Sequence, residues 1–330
     1  MKISIISDGG WGTAIALLLN DNGHEVSIWG AFPDYIQEMK EKRENVRFLK
    51  GIKLPESITL TDNIKAAVES AEIIVLATPS QYMRNSLEQI KPLNYSGKIF
   101  VDLAKGIEVG SLKRISEVAE EILGAIKYVC LSGPSHAEEV GKKIPTTVTA
   151  ASKDQAAAKV VQKAFTNQSY FRVYTSDDVI GAELGGALKN VFAIAAGVID
   201  GMGFGDNTKA ALMTRGVAEL SRLGKALGGK ASTFSGLSGI GDLIVTCTSR
   251  HSRNRHVGEE LGKGKKLDTI IEEMQMVVAE GVKTAQSAHE LARKVGIDTP
   301  IVNEVYACLY EDKDPRQGIK DLMTRPLKAE

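Results

Sequence analysis

Short β-branched and apolar runs alternate with stretches of helical period from the start of the chain to about Asp177. This alternation is typical of βαβ units, in which helices connect the parallel strands of one sheet. Several runs are apolar throughout, as expected for strands that are buried on both faces. The pattern predicts strands at residues 3–6, 25–29, 73–78, 99–103, 128–131, 146–150 and 171–174, and helices at residues 11–20, 111–122 and 155–165.

The β-type runs stop after Asp178, and long patterns of Ala, Leu, Ile and Val with glycine-containing breaks follow. These patterns predict helices at residues 181–200, 208–227, 267–274 and 284–294. A chain of 330 residues also exceeds the usual size of one domain. We therefore predict an α/β fold, with a doubly wound sheet in residues 1–177 and an all-α domain in residues 178–330. The two meet where acidic residues suit the first turn of a helix.

The overall composition argues against some partners. Basic and acidic residues are equal in number, 41 of each, whereas nucleic-acid-binding proteins normally carry a basic surplus. We expect no nucleic-acid partner, so any anion site must be local. The widely separated Cys130, Cys247 and Cys308 lack metal-ligand spacing, which argues against a disulfide framework and a metal site. The first apolar run ends at Asp8, too short for a signal peptide or a membrane span, so we expect a cytoplasmic protein.

A glycine-rich segment follows the first predicted strand directly, in the order Ser7-Asp8-Gly9-Gly10-Trp11-Gly12. Glycines in a strand-to-helix turn let the backbone approach a pyrophosphate, and the helix N-terminus attracts the anion. Gly9 and Gly12 match the GxGxxG pattern, but Ser7 replaces its first glycine. The segment predicts a dinucleotide site, with a purely structural turn as the alternative.

The end of the second predicted strand normally decides between the two nicotinamide dinucleotides, because an acid there binds the ribose 2′-hydroxyl and an arginine accepts a 2′-phosphate. Here the strand is followed by Gly30, Ala31 and Phe32, and Asp34 comes only after a proline. The choice between NAD and NADP stays open, with a lean to NAD because no cation is present.

Lys189 interrupts a nearly apolar predicted helix. Burial lowers the pKa of an amine, which would make this residue a competent general acid or base near neutral pH. The alternative is a lysine that reaches from the core to water. Asn190 next to it and the Gly185-Gly186 pair one turn earlier supply a polar partner and room for a ligand.

Hydroxyl, amide and cationic side chains are concentrated in residues 246–256, which we interpret as one irregular stretch. Guanidinium groups recognise phosphate through paired hydrogen bonds, so the stretch is a candidate anion site, with a solvated basic loop as the alternative. Asp242, just upstream, is either a helix N-cap or a residue that orients the lysine or the substrate. His136 is either an acid/base residue or a loop histidine.

Taken in order, these segments make the sequence resemble the NAD(P)-dependent glycerol-3-phosphate dehydrogenase family over nearly the whole chain. The motifs that carry the resemblance are Gly10-Trp11-Gly12-Thr13-Ala14, Lys105-Gly106, Gly133-Pro134-Ser135-His136-Ala137-Glu138, Leu188-Lys189-Asn190, Gly241-Asp242-Leu243, Ser252-Arg253-Asn254-Arg255 and Glu280-Gly281.

The resemblance implies a Rossmann-type NAD(P)-binding domain followed by an all-α substrate domain. It implies interconversion of dihydroxyacetone phosphate and sn-glycerol 3-phosphate by hydride transfer with NAD(P), a role in phospholipid synthesis, and a homodimer. Lys189 would be the catalytic residue, exchanging a proton with the C2 oxygen of the substrate. Substrate contacts would come from Lys105, Gly133, Ser135, Lys189, Asp242, Thr246, Ser252, Arg253 and Asn254, and cofactor contacts from Gly9, Gly10, Trp11, Gly12, Lys105, Ala137, Arg253, Val278 and Glu280.

The sequence departs from the family pattern mainly at the cofactor end. The family usually has glycine where Ser7 stands, often has a basic residue near Ala31 or Phe32, and often has threonine where Ala104 stands. Two alternatives stay open: a related dehydrogenase that acts on a 3-hydroxy acid or a sugar-acid phosphate, and a nicotinamide-binding sensor or scaffold without turnover.

Overall fold

The computed structural model describes residues 1–274, 278–327 and 329. Its N-terminal half contains one eight-stranded sheet with the strand order β3-β2-β1-β4-β5-β6-β7-β8. The strands are β1 (Lys2–Ile6), β2 (Glu25–Trp29), β3 (Thr59–Thr61), β4 (Ile73–Leu76), β5 (Ile99–Asp102), β6 (Lys127–Ser132), β7 (Thr146–Ala151) and β8 (Phe171–Ser176). The chain order reverses between β1 and β4, which is where open α/β sheets bind ligands.

All the predicted strands form, with small differences at their ends; two of them, predicted to run to residues 78 and 103, end at Leu76 and Asp102. Strand β3 was not predicted, because a three-residue edge strand is too short to show a periodic pattern. The expectation of a wholly parallel sheet is wrong for β6 and β7, which pair antiparallel. The connection between them contains only the short helix Ala137–Gly141 and does not cross to the other edge of the sheet, so β7 returns in the opposite direction.

Helices cover both faces of this sheet, as predicted for a doubly wound fold. Alternate residues of β4 belong to the two apolar layers, Ile73 and Val75 to one and Ile74 and Leu76 to the other. The helices of this half are α1 (Gly10–Asp21), α2 (Pro33–Lys42), α3 (Ile64–Ser70), α4 (Met83–Ile90), α5 (Ile115–Leu123), α6 (Ala137–Gly141) and α7 (Gln155–Phe165), with a short 3-10 turn at Ser80–Tyr82.

Helix α5 begins four residues later than the pattern predicted. Leu112 continues the apolar spacing of the helix, but its φ of 59° is left-handed, and its side chain packs against the core of the C-terminal half. Arg114 is the N-cap, and its backbone N–H donates to Glu117 at 2.9 Å. The apolar period therefore predicted correctly that Leu112 packs against a core, but wrongly that it lies in a helix.

The C-terminal half contains helices and no strand among the described residues, as predicted; residues 275–277, 328 and 330 lie outside them. The helices are α8 (Val179–Gly201), α9 (Asp206–Ala226), α10 (Ala231–Phe234), α11 (Asp242–Thr248), α12 (Arg253–Gly262), α13 (Leu267–Glu273), α14 (Glu280–Val295), α15 (Pro300–Tyr310) and α16 (Pro315–Met323), with a π-helical turn at Leu237–Gly241.

Helix α8 is the core of this half. It is long and apolar enough to span a membrane by composition, but 89% of its most apolar window is buried inside the protein, as in the central helix of a globular domain. Helix α12 crosses it at backbone contact. A Cβ on Gly197 would lie 1.9 Å from the carbonyl oxygen of Arg255, and one on Gly258 would lie 1.9 Å from that of Ile194. This close crossing sets the position of α12 and its first residue, Arg253, relative to Lys189.

Candidate active site

The carboxyl edge of the sheet brings together segments that are far apart in sequence. The glycine-rich turn follows β1, Ser80 follows β4, Lys105 follows β5, and Gly133 and Ser135 follow β6. Parallel strands end at the same edge, so the topology places these loops side by side. Helices α8, α11 and α14 of the C-terminal half contact this edge through the residues described below, and α12 packs against α8 and α14.

The turn after β1 fits a pyrophosphate. Helix α1 has Gly9 as its N-cap and no side-chain cap, so its first backbone N–H groups lack a side-chain partner. A Cβ on Gly10 would lie 2.3 Å from the carbonyl oxygen of Phe48, and one on Gly12 would overlap the sheet beneath it. The indole Nε1 of Trp11 is buried and has no hydrogen-bond partner among the described residues.

Lys189 is buried and ion-paired. Its Nζ lies 2.7 Å from Oδ1 of Asp242 and 2.7 Å from Oγ1 of Thr246, both on α11. The residue is only 5% exposed, so the alternative of a lysine that reaches water is wrong. The carboxylate of Asp242 binds lysine rather than capping a helix, and Gly241 is the N-cap of α11.

Lys105 binds the other oxygen of the same carboxylate. Its Nζ lies 2.7 Å from Oδ2 of Asp242, 2.8 Å from the carbonyl oxygen of Gly133 and 3.3 Å from Oγ of Ser135. Two ammonium groups, one from each half of the chain, therefore share one carboxylate. Lys105 and Lys189, together with the Asp242 carboxylate that they share, are called the lysine pair below.

The pKa values of Lys189 and Asp242 are both lowered by their surroundings. Burial lowers the pKa of Lys189 to about 8; attraction to Asp242 opposes this shift, and repulsion from Lys105 adds to it. Burial by itself would raise the pKa of Asp242, but the ammonium groups of Lys105 and Lys189 hold it below its usual range. An amine with a pKa near neutrality can give or take a proton at the pH of the cell.

A series of hydrogen bonds connects Lys105 and α8 to α12 and α14. Asn190 donates to the carbonyl oxygen of Lys105 at 2.9 Å, and Asn254 donates to Oδ1 of Asn190 at 2.9 Å. Oδ1 of Asn254 then accepts the backbone N–H of Gly281 at 2.8 Å. The structure thus brings together Lys105, Asn190, Asn254 and Gly281 in a single network.

The basic stretch is less irregular than its sequence predicted. Residues up to Thr248 belong to α11 and residues from Arg253 onward belong to α12, with Ser252 as the N-cap that accepts the N–H of Arg255 at 3.2 Å. Alternation of hydroxyl and cationic residues obscured the two helices. Arg255 pairs with Asp200 at 2.6 Å and is structural, whereas Arg253 is half-exposed. An open cavity of about 260 Å³ is lined by Arg250, His251, Ser252, Arg253, His256 and Met274.

The remaining predicted cofactor residues lie around the same edge. Ala137 begins α6, which packs against α1, and Trp11 packs against the same apolar cluster. Glu280 begins α14 and accepts the backbone N–H of Ser80 at 2.8 Å. Val278 lies two residues before it. Ala31 and Phe32 are exposed between β2 and α2, beside the turn that follows β1.

The sequence left the role of His136 open. Its Nε2 atom is buried and has no hydrogen-bond partner among the described residues, and its ring lies 6.1 Å from that of His251. Burial, followed by repulsion from Lys189 and Lys105, lowers the pKa of His136 to about 4. The imidazole is therefore neutral above pH 5, and a neutral ring supplies one donor and one acceptor.

Sequence reasoning missed a buried network that joins the two halves. The hydroxyl of Tyr128 lies 2.7 Å from Oδ2 of Asp102 and 3.0 Å from Oε1 of Glu183. The carboxylate of Glu183 also binds Arg114 and Ser116. Burial raises the pKa of Asp102 to about 8, against the lowering effect of its hydrogen bonds. No local pattern marks Asp102, Tyr128 or Glu183, since each lies in a mainly apolar element. The network connects β5, which precedes Lys105, to the helix that carries Lys189.

Known proteins are similar to this chain in sequence and in fold. The family model for the N-terminus of NAD-dependent glycerol-3-phosphate dehydrogenase matches residues 2–158, and the model for its C-terminus matches residues 178–320. A relative from Pelodictyon phaeoclathratiforme, named glycerol-3-phosphate dehydrogenase with NAD(P)+, is 50% identical and covers 100% of this chain and 99% of its own length. A protein of the same name from Geobacillus kaustophilus is 49% identical, over 100% of this chain and 96% of its own.

A solved structure agrees with these matches. The crystal structure of glycerol-3-phosphate dehydrogenase from Coxiella burnetii, at 2.1 Å resolution, superposes with a TM-score of 0.94 and 37% identity. The match covers 98% of this chain and 99% of that one. The chain belongs to the NAD-dependent glycerol-3-phosphate dehydrogenase family.

Proposed function

We propose that this chain interconverts dihydroxyacetone phosphate and sn-glycerol 3-phosphate by hydride transfer with NAD(H) or NADP(H), and supplies glycerol 3-phosphate for phospholipid synthesis. The observation that carries the proposal is the buried amine of Lys189, which has a lowered pKa and shares the Asp242 carboxylate with Lys105. The uncapped, glycine-lined N-terminus of α1 supports a dinucleotide site. The family membership and the full-length relatives support the same activity.

Lys189 is the proposed catalytic residue. Its ammonium form donates a proton to the C2 oxygen as the carbonyl is reduced, and its neutral form removes that proton when the alcohol is oxidised. Asp242 and Thr246 hold the amine in position through two hydrogen bonds of 2.7 Å. Lys105 adds a second positive charge, which stabilises negative charge developing on the oxygen. The bound nicotinamide supplies or accepts the hydride.

The proposed phosphate contacts come from the start of α12. Arg253 and Ser252 line the open cavity, and Asn254 is oriented by Asn190 and Gly281. A guanidinium group offers two parallel hydrogen bonds to a phosphate. Gly133 and Ser135, which contact Lys105, line the substrate on the other side.

The proposed cofactor residues are Gly9, Gly10, Trp11 and Gly12 at the pyrophosphate, with Lys105, Ala137, Arg253, Val278 and Glu280 around the rest of the dinucleotide. Glu280 is fixed by the N–H of Ser80 at the same sheet edge. We further propose that residues 1–177 and 178–330 are the cofactor and substrate domains, since β8 ends at Ser176 and α8 begins at Val179. We also propose that the protein is cytoplasmic and forms a homodimer.

The test is the initial rate of reduced-nicotinamide oxidation with dihydroxyacetone phosphate, measured with NADH and NADPH separately. Lys189→Ala should abolish nearly all turnover and leave the dissociation constant of the cofactor within a few-fold of the parent. Unchanged turnover in that variant would contradict the catalytic assignment.

Two other outcomes would replace the proposal. Turnover with a 3-hydroxy acid or a sugar-acid phosphate, and none with dihydroxyacetone phosphate, would identify a related dehydrogenase with a different substrate. Tight cofactor binding without turnover on any of these substrates would identify a sensor. A melting curve for each variant separates loss of function from loss of fold.

A further inference from the structure

The end of β2 lacks the side chain that usually reads the adenosine ribose. The position directly after the strand is Gly30, so no side chain extends from it. Strands β1 and β2 run in parallel register, with Ile6 opposite Trp29, and the N–H of Ser7 donates to the carbonyl oxygen of Trp29 at 3.0 Å. Asp8 therefore lies beside Gly30 at the carboxyl edge.

The carboxylate of Asp8 occupies the space that a side chain on Gly30 would fill. A Cβ built on Gly30 would lie 2.5 Å from Oδ2 of Asp8 and 2.9 Å from its Cγ. With the Asp8 carboxylate in this position, a side chain at residue 30 would overlap it, and glycine avoids the overlap. The turn after β1 thus brings a carboxylate to the place where other dinucleotide-binding folds use the residue after β2.

This carboxylate is buried, and one of its two oxygens lacks a partner. Asp8 is 8% exposed, and its Oδ2 atom has no hydrogen-bond partner among the described residues. Asn45 holds the backbone here, since it donates to the carbonyl oxygen of Asp8 at 2.7 Å and to Oγ1 of Thr13 at 2.7 Å. An unpaired buried carboxylate oxygen costs free energy, which a hydroxyl donor from a ligand would recover.

The nearest cation is already engaged elsewhere. Burial raises the pKa of Asp8, while a hydrogen bond with its own backbone and a smaller attraction to a cation oppose the rise; Asp8 is therefore within electrostatic reach of that cation, Arg47. Its guanidinium lies 4.2 Å above the ring of Tyr35 and 3.2 Å from a carboxylate oxygen of Glu38. A 2′-phosphate at this place would meet the Asp8 carboxylate, whereas a ribose 2′-hydroxyl would find an acceptor.

We propose that Asp8 accepts hydrogen bonds from the adenosine ribose hydroxyls and makes the chain prefer NADH over NADPH. This role rests on the proposed function, because it assumes a nicotinamide dinucleotide in the turn after β1. It assigns cofactor choice to the pyrophosphate loop itself, with Gly30 as the residue that makes room.

The test measures the dissociation constants of NADH and NADPH by calorimetry, for the parent and for Asp8→Asn. The parent should bind NADH at least tenfold more tightly than NADPH. Asp8→Asn should narrow this ratio about tenfold, which corresponds to about 1.4 kcal/mol, because the amide removes the charge and keeps an acceptor. Asp34→Asn is the matched control; it removes an exposed acid on the neighbouring helix α2 and should move the ratio less than twofold.

A second variant keeps the proposal testable if Asp8→Asn folds poorly. The double variant Asp8→Gly with Gly30→Asp returns the acid to the end of β2. Without the Asp8 side chain, the nearest atom to the new Cβ is the side-chain methyl of Ile36, at 2.6 Å, which must move. The double variant should bind NADH in preference to NADPH, whereas Asp8→Gly alone should lose this preference; equal NADH-to-NADPH ratios in the two variants would overturn the role of Asp8.

The two proposals fail in different ways. A parent that prefers NADPH, an unchanged ratio in Asp8→Asn, or an equal change in Asp34→Asn would each overturn the role of Asp8 while NADH-dependent reduction of dihydroxyacetone phosphate continues. A parent that binds neither dinucleotide, or binds them without turnover, would overturn the proposed function itself.

Discussion

The lysine pair carries a net positive charge inside the protein, so replacing Lys189 by methionine should make the fold more stable. Two ammonium groups share the single carboxylate of Asp242. Lys189→Met keeps the length of the side chain and leaves Lys105 and Asp242 as a neutral pair. Replacement of a buried charge by an apolar side chain is neutral or stabilising when no partner is left unpaired.

The pKa of Lys189 sets the size of the gain. Its fall from 10.5 to about 8 means that the folded protein holds the ammonium form less favourably than the unfolded chain does. At about 1.4 kcal/mol for each pKa unit, this fall corresponds to about 3 kcal/mol. Loss of the hydrogen bonds to Asp242 and Thr246 reduces it. We expect the free energy of unfolding at pH 7 to rise by about 1–3 kcal/mol.

The gain should depend on pH with a definite sign. The folded pKa lies below the unfolded one, so between about pH 8 and 10.5 the unfolded chain binds more protons and the stability of the parent rises with pH. The advantage of Lys189→Met should therefore be complete below pH 8 and shrink above it. Urea unfolding without cofactor, at pH 7 and pH 9.5, measures both values.

Asp242→Asn is the contrasting variant. It leaves two ammonium groups around a neutral amide and should lower the free energy of unfolding by about 3–5 kcal/mol. A Lys189→Met protein that is less stable than the parent at pH 7, or that keeps the same advantage at both pH values, would refute the reasoning. Both variants should have lost turnover.

Three further predictions concern the rate, the substrate and the cofactor turn. Carbonyl reduction should slow as the pH rises through about 8 and alcohol oxidation should accelerate, because the first needs the ammonium form of Lys189 and the second the amine; profiles of kcat/KM against pH would show no such crossing if another group transfers the proton. Arg253→Ala should raise the KM for dihydroxyacetone phosphate tenfold or more with little change in melting temperature, whereas Arg255→Ala, which loses its ion pair with Asp200, should lower the melting temperature more than it raises KM. Ser7→Gly should raise the free energy of unfolding by about 1 kcal/mol, because serine holds a φ of 117° there and its Oγ makes only a 3.4 Å contact with the N–H of Gly9; an unchanged urea midpoint would contradict this strain.

Local patterns in the sequence determined most of the secondary structure that positions the site. The apolar runs of β1, β4 and β5 are buried on both faces, and the glycine-rich turn opens α1 directly after β1. Periodicity and turn chemistry act over a few residues, so they can be read without knowing what packs where. The same logic failed where a local signal had a distant cause, as at Leu112, whose apolar side chain belongs to the C-terminal core rather than to the helix that follows it.

Only the tertiary structure decided which side chains meet. Lys189, Lys105 and Asp242 come from α8, from the loop after β5 and from α11, and their shared geometry exists only after the helical half closes on the edge of the sheet. The partner of Arg255, the isolation of His136 and the approach of Asp8 to Gly30 have the same origin. Contacts across such sequence distances depend on how whole elements pack. Burial then shifts the pKa values that give these residues their chemistry.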